Sequence, residues 1–246
     1  MSLDWEPGGD WRRWQTIDAH TAGEPLRIIC DGVDPIPGDT ILAKRANARA
    51  NLEHLRRVLM FEPRGHADMY GAILTEPATS DGDVGVLFLH NEGWSTMCGH
   101  GIIALTKVGL ETGLIRPRGE ANVIRFDTPA GRVTARAERE GERITQVRFQ
   151  NVPSFVLRKD ATVEVEGLGR VRYDLAFGGA FYAYVEAAEV GLTLEPARYR
   201  EIIEVGMRIK RAVMAGEPFA HPTGGADLNF LYGTIFVGPP AGAAHS

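Results

Sequence analysis

Cysteine is scarce in this chain, and the scarcity narrows its chemistry. Cys30 and Cys98 are the only two in 246 residues, too few for a disulfide framework and lacking a Cys-x-x-Cys pair for zinc. A reducing cytoplasm suits such a chain, and the spacing of the two gives no support for a bond between them. Long apolar runs are missing as well: nothing approaches the roughly 18 uninterrupted apolar residues of a membrane span. Met1 to Trp14 holds acids, glycines and a proline but no apolar stretch of the kind a secretory signal needs. Basic runs with interleaved aromatics are also absent, and a formal net charge of -5 argues against a nucleic-acid partner. His20, His54, His66 and His90 match no compact metal signature, so no metal is expected. Gly178-Gly179 lacks the longer glycine pattern and following helix of a nucleotide loop, and reads as a turn.

What remains is an ordinary foldable composition, 44% hydrophobic and 24% charged, with many strand patterns and three helical ones. Alternating or apolar runs predict strands at 16–20, 70–74, 84–89, 123–126, 132–137 and 145–149, then at 162–166, 170–177, 181–186 and 229–237. Leu26, Ile28, Ile29 and Cys30 form another strand-like run, in which Cys30 reads as core. Helical spacing links Leu52, Leu55, Val58 and Leu59, and again Ile202, Val205, Ile209 and Val213; the third helix follows Cys98. Strands that outnumber helices, without strict alternation, point to an α+β fold. Asn151-Val152-Pro153-Ser154 breaks the pattern, giving two expected lobes, 1–152 and 153–246.

The most informative stretch is Met97-Cys98-Gly99-His100-Gly101. Before it lies the turn-rich Asn91 to Thr96; after it Ile102, Ile103, Leu105, Val108 and Leu110 make a largely apolar helix that Gly113 can end. Cys98 therefore falls at a helix N-terminus, where unpaired N–H groups favour negative charge and a thiolate. Gly99 and Gly101 carry no Cβ, so a small carboxylate could approach the same amides. The competing reading makes Cys98 a small buried hydrophobe and His100 a satisfied surface histidine. Local pattern does not choose between them.

Five blocks, Asp18 to Pro25, Glu62 to Gly71, Met97 to Gly101, Asp127 to Gly131 and Phe177 to Gly179, occur in an order that resembles the proline racemase family. Within it, His90 to His100 and Phe230-Leu231-Tyr232-Gly233-Thr234 resemble the trans-3-hydroxy-L-proline dehydratase branch. The resemblance implies a diaminopimelate-epimerase-like fold, two lobes of strands wrapped around helices, and proton chemistry at the α-carbon of a small proline-type amino acid without a cofactor. It implies Cys98 as the base that takes the α-proton, with Gly99 and His100 as substrate-binding residues. His66 is a candidate pocket residue, although in a Gly- and Pro-rich loop it can as readily bond to local backbone.

One departure is clear. The family places its second catalytic residue in a Ser-Pro-Cys-Gly-Thr-Gly type motif, with a threonine typical of the dehydratases, and nothing of the kind follows Tyr232. The expectation is an incomplete second lobe, from a fragment or a truncated relative. An open cleft of that sort would favour self-association, a homodimer being the simplest form. Three further readings therefore stay open: a racemase or hydroxyproline epimerase, a non-catalytic amino-acid-binding remnant, and a cysteine hydrolase, for which no orienting third group is evident.

Overall fold

The computed structural model describes residues 8–240. Residues 1–7, part of the N-terminal segment considered above, and residues 241–246 lie outside the described residues. The chain divides into two compact units, one ending at Asn151 and the other beginning at Val152.

In the first unit eight strands and three helices alternate irregularly. They are β1 (Gln15–Thr21), β2 (Glu24–Asp31), α1 (Ile41–Asn51), α2 (Glu53–Met60), β3 (Tyr70–Thr75), β4 (Val84–His90), β5 (Gly93–Ser95), α3 (Gly99–Thr112), β6 (Val123–Thr128), β7 (Gly131–Glu140) and β8 (Arg143–Gln150). The strands form one sheet in the order β1-β2-β3-β4-β6-β7-β8, with β5 added to β4. Among the described residues of this unit, only β2–β3 and β4–β6 pair in parallel. The β1–β2 connection is a two-residue turn, Ala22-Gly23, with both residues at positive φ, the conformation that matches the twist of a hairpin.

β4 explains the layering. It lies between β3 and β6, and six of its seven residues are buried. Side chains of a strand alternate between faces, so Leu87 and Leu89 join the core under α1 and α2 with Ile73, Leu55, Leu59 and Met60. Phe88 points the other way and meets the first turn of α3 beside Gly101. α3 packs on β1, β2, β7 and β8. A single central strand therefore carries two cores, and α3 occupies the face on which the site is built.

Helix α1 has no counterpart among the three helices expected. Its buried face consists of Ile41, Lys44, Arg45 and Ala48, so half of the positions that a hydrophobic pattern requires are cationic. The charges are offset by backbone acceptors: Lys44 Nζ donates to the Glu76 carbonyl (2.7 Å), and Arg45 donates to the Trp94 carbonyl. Strand β5 also falls inside a segment expected to be turns. Cys30, expected in the core, is half-buried and free.

In the second unit β9 (Phe155–Val165), β10 (Gly169–Phe177), β11 (Phe181–Glu186) and β12 (Leu231–Val237) form a sheet in the order β12-β11-β10-β9, with α4 (Tyr199–Ala215) packed on β12 and β9. α4 buries Val205, Ile209 and Val213, a spacing of four that makes one stripe. Phe155, Phe177, Phe181 and His221 form a ring cluster with centroids 4.5–6.2 Å apart. No helix among the described residues is long and apolar enough to cross a membrane.

Candidate active site

Cys98 is the N-cap of α3. Its backbone is extended (φ −147°, ψ 108°), and its Sγ accepts a hydrogen bond from the Gly101 N–H at 3.3 Å. The helix begins there because the sulfur and the Cys98 carbonyl, which accepts from Ile102 N at 3.0 Å, satisfy the first donors. The N–H groups of Gly99 and His100 precede the first intrahelical bond and remain directed out of the helix end.

Glycine is required at 101 by space rather than by conformation. A Cβ there would sit 2.9 Å from Cys98 Sγ and 2.9 Å from Phe88 Cε1. Gly101→Ala is expected to lower stability by ~1–3 kcal/mol through overpacking; urea unfolding curves for the two proteins measure it. An unchanged midpoint would show that the sulfur and Phe88 move aside freely.

Three of the five sequence blocks meet around this helix end. From the first, Thr21 Oγ1 donates to the His100 carbonyl (2.9 Å), and the Pro25 carbonyl lies 3.3 Å from His100 Nε2. From the second comes Tyr70, whose ring meets His100 edge-on at 5.0 Å and whose side chain is hydrogen-bonded to Cys98. From the fourth, Ala130 N donates to the Thr96 carbonyl (3.1 Å), fixing the segment that leads into Cys98. His100 Nδ1 and Nε2 stand 3.4 and 3.6 Å from Cys98 Sγ.

The hairpin that delivers Cys98 is anchored by α1 and α2. Arg56 donates to the His90 carbonyl (2.6 Å) and the Asn91 carbonyl, while Glu53 accepts from the Trp94 indole at 3.3 Å. Asn91 Nδ2 in turn donates to the carbonyls of Met60 (2.8 Å) and His66 (3.0 Å). Charged side chains on the helices thus end on backbone carbonyls of the hairpin, which leaves few ways for it to shift.

The protonation state of Cys98 corrects the sequence reading. A helix N-terminus led to the expectation of a thiolate, but Cys98 is 5% exposed, and burial pushes its thiol up to about 12. Hydrogen bonds from Gly101 N–H and Tyr70 act against burial, and the Glu24 carboxylate adds to it. Desolvation outweighs the helix end because the low-dielectric surroundings penalise the charged sulfur more than two donors repay. In this state Cys98 is a neutral thiol near pH 7.

His66 sits on the loop that precedes β3. It is exposed, its Nδ1 is 2.5 Å from the Ala67 carbonyl, and none of its hydrogen bonds among the described residues reaches Cys98 or His100. Tyr70 and Glu24, which act on Cys98, and Thr21, which bonds to His100, were not singled out by residue patterns, although all three lie inside the quoted blocks. Among the described residues no group of His, Cys, Asp or Glu could hold a metal ion.

A mixed sheet packed around a helix that is capped by a cysteine, with a second sheet-and-helix unit after it, is a diaminopimelate-epimerase-like α+β fold. The chain belongs to the proline racemase family, whose sequence pattern matches residues 16–246. It is 48% identical over 95% of its length to a trans-3-hydroxy-L-proline dehydratase of Colwellia psychrerythraea, and spans 66% of that protein. A trans-3-hydroxy-L-proline dehydratase of Bacillus thuringiensis is 49% identical over 93% of the chain, which spans 68% of it. Among solved structures, a hydroxyproline epimerase of Agrobacterium vitis with bound trans-4-hydroxy-L-proline superposes with a TM-score of 0.84 at 31% identity, covering 92% of this chain and 66% of the other.

Proposed function

We propose that this protein dehydrates trans-3-hydroxy-L-proline to Δ1-pyrroline-2-carboxylate without a cofactor. The substrate carboxylate docks on the N–H groups of Gly99 and His100, where the helix end offsets its charge. Cys98, after passing its proton to the adjacent His100, removes the α-proton as a thiolate. Loss of the C3 hydroxyl gives an enamine, which tautomerises to the Δ1-imine; the net change is the departure of one water. The observation that carries the reading is the convergence on one helix end of a sulfur, an imidazole 3.4 Å from it and two N–H groups with no intrahelical partner.

A base buried this deeply must be charged only when it is needed. The raised thiol keeps the resting site neutral, and docking of a carboxylate beside an imidazolium becomes favourable in the same low-dielectric surroundings. The scarcity of cysteine supports a cytoplasmic location, and a homodimer is the assembly to look for.

The dehydratase names of the two relatives at 48% and 49% identity favour dehydration, while the Agrobacterium vitis structure favours an epimerase as the second reading. A single NMR experiment separates them. With trans-3-hydroxy-L-proline, 4-hydroxyproline and proline offered in turn, the reading predicts pyrroline carboxylate from the 3-hydroxy substrate alone. Inverted α-carbon configuration in 4-hydroxyproline or proline would replace it with the epimerase or racemase reading, and binding without change in any of the three would replace it with a binding protein.

A further inference from the structure

Tyr70 opens β3 directly opposite His90 of β4, and this register places the two rings in a stack 5.1 Å apart at 29°. The same phenol ring meets the imidazole of His100 at 80°, with centroids 5.0 Å apart. The side chain is also hydrogen-bonded to Cys98. One half-buried phenol, held by strand pairing on a rigid sheet, therefore touches both the sulfur and the imidazole of the candidate site. A residue needed only for packing could be phenylalanine; the hydroxyl has a use at the sulfur.

We propose that Tyr70 is a further catalytic residue of this site, donating its phenol O–H to Cys98 Sγ so as to stabilise the thiolate, while its ring edge holds His100 beside the sulfur. The assignment rests on the reading of Cys98 as the base. A neutral thiol is a weak acceptor and a thiolate a strong one, so the same O–H contributes more once the proton has left. Three donors then surround the charged sulfur: Gly101 N–H at 3.3 Å, Tyr70 O–H and a His100 ring nitrogen at 3.4 Å. The other titratable groups facing this cluster are Glu24 at the start of β2, which opposes the thiolate, and His90, whose Nδ1 is occupied by Glu92 N at 3.1 Å. The proton moves from Sγ to His100 Nδ1, 3.4 Å away, while Nε2 faces the Pro25 carbonyl; no bond to carbon changes, and Tyr70 keeps its own proton throughout. A sulfur so deeply buried needs donors that do not depend on solvent, and the phenol supplies one from a position fixed by the sheet.

Tyr70→Phe preserves the ring, the stack on His90 and the edge contact with His100, and removes only the hydroxyl. Iodoacetamide alkylation of the full chain, read peptide by peptide by mass spectrometry at several pH values from about 7 to about 10, reports the thiolate fraction of each cysteine separately. The expected result is a Cys98 rate roughly tenfold lower in Tyr70→Phe at every pH, equivalent to a displacement of the profile by about one pH unit, with the Cys30 rates unchanged. An unchanged Cys98 profile alongside unchanged Cys30 rates would overturn the assignment. Because alkylation needs no amino-acid substrate, failure of the dehydratase reading appears instead as lack of turnover by the unsubstituted chain, whatever the alkylation profile.

Discussion

Cys98→Ser is expected to lower dehydration of trans-3-hydroxy-L-proline by on the order of 10³-fold, the contribution of a positioned general base, while leaving the fold intact. The second half of that expectation follows from the capping geometry. Sγ accepts from Gly101 N at 3.3 Å, and serine is among the preferred N-caps because its oxygen accepts the same kind of bond. The helix therefore keeps its start. What is lost is acidity: a serine hydroxyl cannot be ionised by a neighbouring imidazole without a reacting carbonyl to drive it, so the base proposed for the α-proton is gone. Steady-state kinetics and a urea unfolding curve on the same preparation test both halves. Full turnover in the variant would remove Cys98 from the mechanism, and a collapsed unfolding midpoint would show that the sulfur holds the helix rather than the proton.

The second large effect is structural and lies at Asp127. This carboxylate is 4% exposed and accepts from four donors: Ala78 N (2.9 Å), Thr79 N (2.9 Å), Thr79 Oγ1 (2.9 Å) and Arg132 Nε (2.8 Å). It ties the 75–84 connection to β6 and opens the turn that leads to Gly131. Asp127→Ala would leave two amides and a guanidinium facing an empty site. Arg132 keeps a partner, since it also pairs with Asp81 at 2.9 Å, so the loss is set mainly by the buried amides. A destabilisation of about 3 kcal/mol is expected, measured as a fall in the urea midpoint at constant slope. A change below about 1 kcal/mol would mean that water replaces the carboxylate at little cost. The effect reaches the site through Ala130 N, whose bond to the Thr96 carbonyl holds the approach to Cys98.

The strands of the first unit were legible because β3, β4, β6, β7 and β8 carry apolar or alternating runs long enough to fix both period and length. Helix α1 was not, because Lys44 and Arg45 occupy its buried face and their acceptors, Glu76 and Trp94, lie 32 and 49 residues away. β9 begins at Phe155 rather than near Thr162, since its first half pairs with β10 through irregular register that a period-2 pattern does not describe. The capping position of Cys98 was readable from glycines before an apolar helix. Its neutral state was not, for it follows from the burial of the sulfur, which only the fold sets. Tyr70 shows the same limit: an aromatic at the start of an apolar strand looks like core until the register sets it between His90 and His100.

The central claim, that Cys98 takes the α-proton of a proline-type amino acid, is tested most directly by following the α-hydrogen of trans-3-hydroxy-L-proline by proton NMR with the chain and with Cys98→Ser in parallel. The account predicts that the α signal disappears in step with the appearance of pyrroline carboxylate for the unsubstituted chain and persists for the variant. An α signal that persists with both proteins, or that is lost equally with both, would contradict it.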